Sequence, residues 1–249
     1  MIRACKLAAV ILAGTMAAVA ANAQTQAPDL ASIVQHVEQE IATNHESTRP
    51  YQVTRQYLFY EGSDKPTADS SVVADVSYYP PDKKQFEIVD ASGGGRGQHV
   101  VKKVLEHESQ MAGDWHKAAI TSENYKFTLL GEETVRGRQC FVLGLAPRRN
   151  AKELLEGKAW VDAANYRILQ IHGEPAKNPS FWIKKLDVTL YFSEVEGMWL
   201  QTAVRAVADV RLFGTNILSE RDLNYRVGAQ SAAKRAPRHP VTAIATYVR

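Results

Sequence analysis

The chain has 249 residues, of which 45% are hydrophobic and 23% are charged. Its 30 Lys and Arg residues nearly balance 27 Asp and Glu residues, giving a formal net charge of +3 at pH 7. This balance argues against nucleic acid as a partner, since nucleic-acid-binding domains carry a marked basic excess. The length suits one domain or at most two small ones, and no linker rich in proline, serine or glycine divides the chain, so we expect one.

The N-terminus predicts a cleaved signal peptide over residues 1–23. Arg3 and Lys6 form a short basic start, and residues 7–20 are an apolar run with many small side chains. Residues 21–23 (Ala-Asn-Ala) fit the small-x-small rule of signal peptidase. A membrane anchor is the competing interpretation, but the run is shorter than the roughly 20 apolar residues that span a bilayer. We therefore expect a periplasmic protein.

The two cysteines agree with this location. Cys5 precedes the apolar run, whereas a lipid-modified cysteine would follow it at the cleavage point, so no lipid anchor is expected. Cys140 is then the single cysteine of the mature protein. An unpaired thiol in an oxidising compartment is best kept buried, and residues 138–143 have the alternation of a strand. We expect Cys140 in the core.

The first predicted element of the mature chain is an amphipathic helix over residues 30–43, which Asp29 can cap. Its apolar residues recur at helical spacing and must pack against another element. They are Leu30, Ile33, Val34, Val37 and Ile41.

Strands rich in Val, Tyr and Thr are predicted next, separated by turn sequences. They cover residues 51–61, 71–79 and 84–90. The glycine-rich segment 92–97 follows. It lacks the Lys-Ser/Thr of a phosphate-binding loop, so we interpret it as a connection, and as a hinge if the following helix, 99–111, moves.

A meander of strands is predicted from residue 125 to residue 227, with a tight hairpin at 135–138 and a short helix at 151–155. Its strands are 125–129, 141–145, 158–162, 166–172, 182–192, 200–212 and 217–227. Strict alternation of apolar and polar residues is typical of an antiparallel sheet with one wet face, and tight turns cannot join parallel strands. The predicted fold class is α+β, mainly antiparallel β, with two or three helices.

So few helices predict a hollow on the apolar side of the sheet. A curved sheet must be covered on its inner face by helices, by a second sheet or by a ligand. The pattern is therefore compatible with a cavity for an acyl chain and equally with a fully packed core. The candidate lining residues are Trp182, Leu186, Val188, Leu190, Phe192, Tyr125, Phe127, Ile33 and Val37.

No motif of a catalytic, metal or cofactor site is present in the sequence. The seven histidines do not form the two-histidine helical motif of zinc hydrolases, and no Gly-x-Ser-x-Gly elbow occurs. Glu106, His107 and Glu108 are adjacent, but neighbours on a helix point about 100° apart and do not converge on one ion. We expect no catalysis, no metal and no cofactor.

Four segments, 131–143, 157–168, 174–184 and 198–200, together resemble the bacterial outer-membrane lipoprotein-sorting-like family. The first resembles its G-x-E-x-x-x-G-R-x-x-x-x-L segment, and the second its W-V-D hairpin. The likeness extends over roughly residues 30–227. It implies a curved, half-open β-barrel covered by helices. It also implies a hollow that binds acyl chains and catalyses nothing, as in the periplasmic lipoprotein carrier and its receptor.

Two functions follow as hypotheses. The first is a non-catalytic periplasmic protein, with residues 24–227 as one lipoprotein-carrier-like β domain, that binds or carries a lipid or lipoprotein acyl chain. The alternative is an envelope interaction or sensor module with a filled core that docks a membrane-associated protein partner. Residues 228–249 hold four basic residues, two prolines and no acid, and are expected to form a loose basic tail.

Overall fold

The computed structural model describes residues 28–62 and 65–228. The predicted signal peptide, 1–23, and all but the first residue of the predicted tail, 228–249, lie outside the described residues. Within these ranges, no helix combines the length and the apolar character needed to span a bilayer.

Two α-helices, one short 3₁₀ helix and ten strands make up the described chain. The helices are α1 (Leu30–Ser47), α2 (Gly95–Met111) and the 3₁₀ helix Ala112–Lys117. The strands are β1 (Tyr51–Glu61), β2 (Ser70–Tyr79), β3 (Lys83–Gly93), β4 (Tyr125–Val135), β5 (Arg138–Pro147), β6 (Leu155–Asp162), β7 (Ile168–Pro175), β8 (Ile183–Val195), β9 (Met198–Val210) and β10 (Gly214–Val227).

The ten strands form one open antiparallel sheet in the order β3-β2-β1-β10-β9-β8-β7-β6-β5-β4. β3 and β4 are its edges. The predicted fold class is confirmed, and each of the ten predicted strand ranges overlaps one strand of the sheet. The first helix is also confirmed: the Asp29 side chain accepts a hydrogen bond of 2.8 Å from the Ser32 N–H.

Two hairpins have the turn that twisted strands favour. Arg136 and Gly137 join β4 to β5 with φ angles of 50° and 76°, and Glu196 and Gly197 join β8 to β9 with φ angles of 48° and 83°. Two central residues at positive φ match the right-handed twist of the flanking strands. The predicted hairpin at 135–138 is therefore confirmed.

The helix predicted at 151–155 is wrong. This segment is a turn that leads into β6 at Leu155. Leu154 is fully buried, and its carbonyl accepts a hydrogen bond of 2.8 Å from the Ala176 N–H. So short a run cannot repay the cost of helix nucleation, and the buried Leu154 fixes the turn instead.

Both helices pack on the same face of the sheet, which we call the inner face. Cross-strand partners share a face, and the register connects one row of partners from β1 to β5. The row is Tyr57, Glu220, Val204, Leu190, Ile171, Ala159 and Leu143.

The core on this inner face is divided into two clusters. Ile33 and Val37 of α1 pack into a cluster built mainly from β4, β5, β6 and β7. Val101 and Leu105 of α2 pack into a second cluster on β1 and β2. Cys140 is fully buried in β5, as expected, and burial raises the pKa of its thiol. The two helices therefore hold opposite ends of the sheet.

Glycines set how closely α2 approaches the sheet. A Cβ on Gly97 would lie 2.4 Å from the Ser70 Oγ and 2.8 Å from the Phe59 Cβ, whereas a Cβ on Gly95 would meet nothing within 4 Å. The first turn of α2 thus lies directly on β1 and β2.

We predict opposite effects of alanine at these two positions. Gly97→Ala should lower the free energy of unfolding by about 1–3 kcal/mol, because α2 must move away from Phe59. Gly95→Ala should raise it by up to about 1 kcal/mol, because alanine reduces the entropy of the unfolded chain. Urea unfolding followed by circular dichroism measures both. Equal stability of the two variants would contradict this close packing.

Candidate functional site

The middle of the inner face carries an apolar strip on β8, β9 and β10. The register pairs Leu186 with Ala208, Val188 with Ala206, and Leu190 with Val204, while Ala206 also pairs with Leu218. We call these seven residues the apolar strip. All seven are only half-buried, in contrast to the fully buried Leu143 and Ala159 under α1. The strip lies between the two helix-covered ends of the sheet and remains open to solvent.

A cavity of about 280 Å³ lies where the C-terminal half of α1 faces the sheet. We call it the aromatic pocket. It is lined by Glu40, Ile41, Asn44, His45, Thr48, Tyr51, Tyr78, Trp115, Tyr166, Arg167, Ile168, Phe192, Trp199 and Leu200. Its volume is close to the lower limit of small-molecule sites. Phe192 and Leu200 belong to β8 and β9, so the pocket continues the apolar strip beyond Leu190.

Hydrogen bonds fix the Trp199 wall of the pocket. The Asn44 side chain donates to the Trp199 carbonyl at 2.8 Å and accepts from the Trp199 N–H at 2.7 Å. The indole Nε1–H of Trp199 donates to the Ile168 carbonyl at 2.7 Å. These three bonds join the end of α1 to β7 and β9 and leave the indole ring as a preformed apolar surface.

The polar part of the pocket is also held in place. Arg167 pairs with Glu40 at 3.3 Å, and its guanidinium lies 5.5 Å from the centre of the Trp199 ring. The imidazole of His45 stacks on Trp115 with ring centres 4.0 Å apart. The pocket therefore has aromatic walls and charged groups near one edge, a composition suited to an apolar ligand with a polar end.

A buried group of charges joins α2 to the sheet beside the pocket. Arg55, 3% exposed, lies 3.0 Å from Glu108 of α2 and 2.6 Å from Asp222 of β10. It also lies 3.2 Å from Glu220, while Lys84 contacts Glu108 at 3.2 Å. We call these five residues the Arg55 cluster. Two cations and three carboxylates balance incompletely, so one carboxylate has to bear the cost of burial.

The pKa shifts identify that carboxylate. Burial raises the pKa of Glu220 to about 7, against the attraction of Arg55. Burial acts in the same direction on Glu108, but Arg55 and Lys84 outweigh it and lower the pKa of that carboxyl. Tyr51, which lines the aromatic pocket, has its pKa raised to about 12 by burial. Near neutral pH, Glu220 therefore exchanges a proton while Glu108 stays ionised.

The nine predicted lining residues occupy four kinds of place. Phe192 lines the aromatic pocket, and Leu186, Val188 and Leu190 lie on the apolar strip. Ile33, Val37 and Tyr125 are buried in the α1 cluster, with Phe127 packed against it. Trp182 is 54% exposed at the start of β8. Their role as ligand contacts stays a prediction.

The prediction did not include the pocket residues Trp115, Tyr166 and Trp199, nor the Arg55 cluster. One signal was available: Arg55 interrupts the apolar side of β1 between Val53 and Tyr57, both fully buried. A charge at such a position requires a buried partner. Among the described residues, no group of three or more His, Cys, Asp or Glu side chains is arranged to hold a metal ion.

Known proteins similar to this chain are found among solved structures. No family model and no curated protein matches the chain. A domain named for outer-membrane lipoprotein sorting, from Vibrio parahaemolyticus, is 15% identical. It covers 80% of this chain and 92% of its own, with a TM-score of 0.40. That family is the one the sequence motifs resemble.

Two further structures share this similarity. A LolA superfamily protein from Nitrosomonas europaea is 12% identical, over 79% of this chain and 94% of its own, with a TM-score of 0.43. The MucA/MucB complex of Pseudomonas aeruginosa is matched at 10% identity, over 78% of this chain and 99% of the matched chain, with a TM-score of 0.27.

The Arg55 cluster predicts how stability depends on pH. The pKa of Glu220 is about 7 in the folded protein, against an ordinary value of 4.5 for a glutamate, so the folded state binds this proton more tightly. Its stabilising contribution is complete below about pH 4.5 and is lost as the pH rises through 7. The free energy of unfolding of the wild type should therefore fall by on the order of 2 kcal/mol between pH 5 and 8. Glu220→Gln should remove this decrease.

Glu108→Gln is the matched control, because the Glu108 shift has the opposite sign. The lowered pKa of Glu108 means that its charge stabilises the fold above its ordinary pKa and that this contribution is lost on acidification. This variant should therefore be less stable than the wild type at pH 8. Chemical denaturation at several pH values measures both, and parallel pH profiles for wild type and Glu220→Gln would contradict the assignment.

Proposed function

We propose that this protein is a non-catalytic periplasmic binding or carrier protein that holds the acyl chain of a lipid or lipoprotein. The chain would lie along the apolar strip and end in the aromatic pocket. The observation that carries this proposal is the half-exposed state of all seven strip residues on the inner face, between the two buried clusters. An apolar surface in a concave position is favourable for a ligand and unfavourable in water.

The shape of the site favours a long, narrow ligand. The strip crosses β8, β9 and β10 along one face and continues into the pocket through Phe192 and Leu200. Burial of each methylene contributes about 0.8 kcal/mol, so a chain that is only partly covered can still bind. Ala206 and Ala208 leave room above the sheet for such a chain, while larger side chains on β8 form its floor.

The strip itself is open, so only the end of the chain that enters the aromatic pocket would require a shift of α1, whose C-terminal half lines that pocket. α1 and α2 belong to separate apolar clusters, so one helix can shift without disrupting the core of the other. The periplasmic location rests on the predicted signal peptide, and the absence of catalysis rests on the absence of a catalytic motif in the sequence.

A pair of substitutions on one strand tests the binding site. Ala206 lies on the strip between Val188 and Leu218, whereas Ala203 points to the opposite face and pairs with Tyr191 and Arg221. Ala206→Glu should weaken binding of a fluorescent long-chain fatty acid at least tenfold, because a carboxylate would lie in the path of the chain. Ala203→Glu should bind as the wild type does. Fluorescence titration of the purified protein measures both.

Three results would oppose the proposal. They are no saturable binding by the wild type, equal loss of binding in both variants, and no lipid in a solvent extract of the purified protein. A stable protein partner recovered together with a non-binding wild type would favour the interaction or sensor module instead.

A further inference from the structure

Two neighbouring loops at one end of the sheet expose four large apolar side chains. Phe181 and Trp182 precede β8, and Leu212 and Phe213 lie between β9 and β10. Their exposed fractions are 76%, 54%, 89% and 54%. We call these four residues the apolar tip. Contiguous apolar exposure of this kind marks an interaction site with a protein or a membrane.

The two loops are held together as one unit. The Arg211 N–H donates to the Trp182 carbonyl at 2.8 Å, and the Arg211 Nε donates to the Phe181 carbonyl at 3.0 Å. The Arg211 guanidinium lies 4.8 Å from the centre of the Phe181 ring. On the other side, the Arg96 guanidinium lies 4.2 Å from the centre of the Phe213 ring. These contacts fix the two loops relative to each other, so the tip is a structurally defined surface.

Leu212 gives an independent sign of function. It adopts a φ of 68°, in the left-handed region where glycine or asparagine is normally found. Its side chain is also the most exposed of the four. Neither packing nor backbone geometry favours leucine here, and strain of this kind is retained where function requires the side chain.

The basic residues around the tip indicate what kind of surface it binds. Residues 176–185 and 211–216 contain Lys177, Lys184, Lys185 and Arg211 and no Asp or Glu. Lys184 and Lys185 pair with Asp209 and Glu174 outside these loops, at 3.7 Å and 3.0 Å. Exposed aromatic and aliphatic side chains ringed by basic ones are the composition that binds at the surface of an anionic bilayer.

We propose that the apolar tip docks the protein on an anionic lipid bilayer. Phe181, Trp182, Leu212 and Phe213 enter the interfacial layer, while Lys177 and Arg211 lie at the level of the lipid phosphates. The tip adjoins Ile183 and Val210, which begin β8 and end β9 beside the apolar strip. Docking there would place one end of the strip at the bilayer surface, opposite the end that leads into the aromatic pocket.

Vesicle flotation tests this docking. The full-length mature protein is mixed with phosphatidylcholine vesicles that contain or lack phosphatidylglycerol, at low and at high salt. The wild type should float with the anionic vesicles, and high salt should weaken this binding severalfold. Phe181→Ser combined with Leu212→Asn should weaken it at least tenfold, because two apolar side chains no longer enter the bilayer. Asparagine is well tolerated at positive φ, so thermal unfolding should show that the variant stays folded.

Leu130→Asn is the control, because Leu130 is 52% exposed on β4, far from the tip along the sheet. It should float as the wild type does. The proposal is overturned if the wild type does not bind anionic vesicles or if the tip variant binds equally well. It is also overturned if sedimentation shows a dimer that the tip variant loses, since the tip would then bind a second copy. Ala206→Glu should keep vesicle binding, so failure of this proposal and failure of acyl binding are distinguishable.

Discussion

The structure depends on a mismatch between the area of the inner face and the width of its helices. Strands are spaced about 4.8 Å apart, and a helix with its side chains is about 10 Å across, so one helix shields only a part of so wide a sheet. Two α-helices therefore cover the two ends of a ten-stranded sheet and leave the middle partly open. The apolar strip on β8, β9 and β10 is the direct result. Without larger side chains or a third long helix, this surface needs an external partner to be buried.

The two helices are attached by different physical interactions. α1 is held mainly by apolar packing of Ile33 and Val37. α2 adds to its apolar contacts the ion pair between Glu108 and the buried Arg55, whose partners also come from β10. A buried ion pair contributes little net stability because of the cost of desolvation, but it specifies one arrangement of its partners. The Arg55 cluster therefore fixes the position of α2, and the titration of Glu220 within it makes that attachment sensitive to proton concentration near neutrality.

The parts of this fold that depend on local pattern could be predicted from the sequence. Side chains of a strand alternate between its two faces, and this alternation alone predicted that Leu186, Val188 and Leu190 of β8 share one face. The Arg55 cluster could not be assembled in the same way, because Glu108 and Asp222 are 53 and 167 residues away from Arg55. The aromatic pocket was missed for the same reason, since its lining residues Trp115 and Trp199 come from the 3₁₀ helix and from β9, which are far apart in the sequence. The wrong helix at 151–155 shows the converse, a local propensity overridden by the burial of Leu154.

The strip, the pocket and the tip lie along one direction of β8 and β9. The tip is at the start of β8 and the end of β9, the strip occupies the middle of both strands, and the pocket takes Phe192 and Leu200 from their opposite ends. Because β8 and β9 are antiparallel, the start of one strand lies beside the end of the other, so two strands suffice to connect the exposed tip with the aromatic pocket. If the tip meets a bilayer, an acyl chain leaving it would pass along the apolar strip on its way to the pocket. The order of tip, strip and pocket along these two strands thus connects the exposed Leu212 with Trp199 in the wall of the pocket.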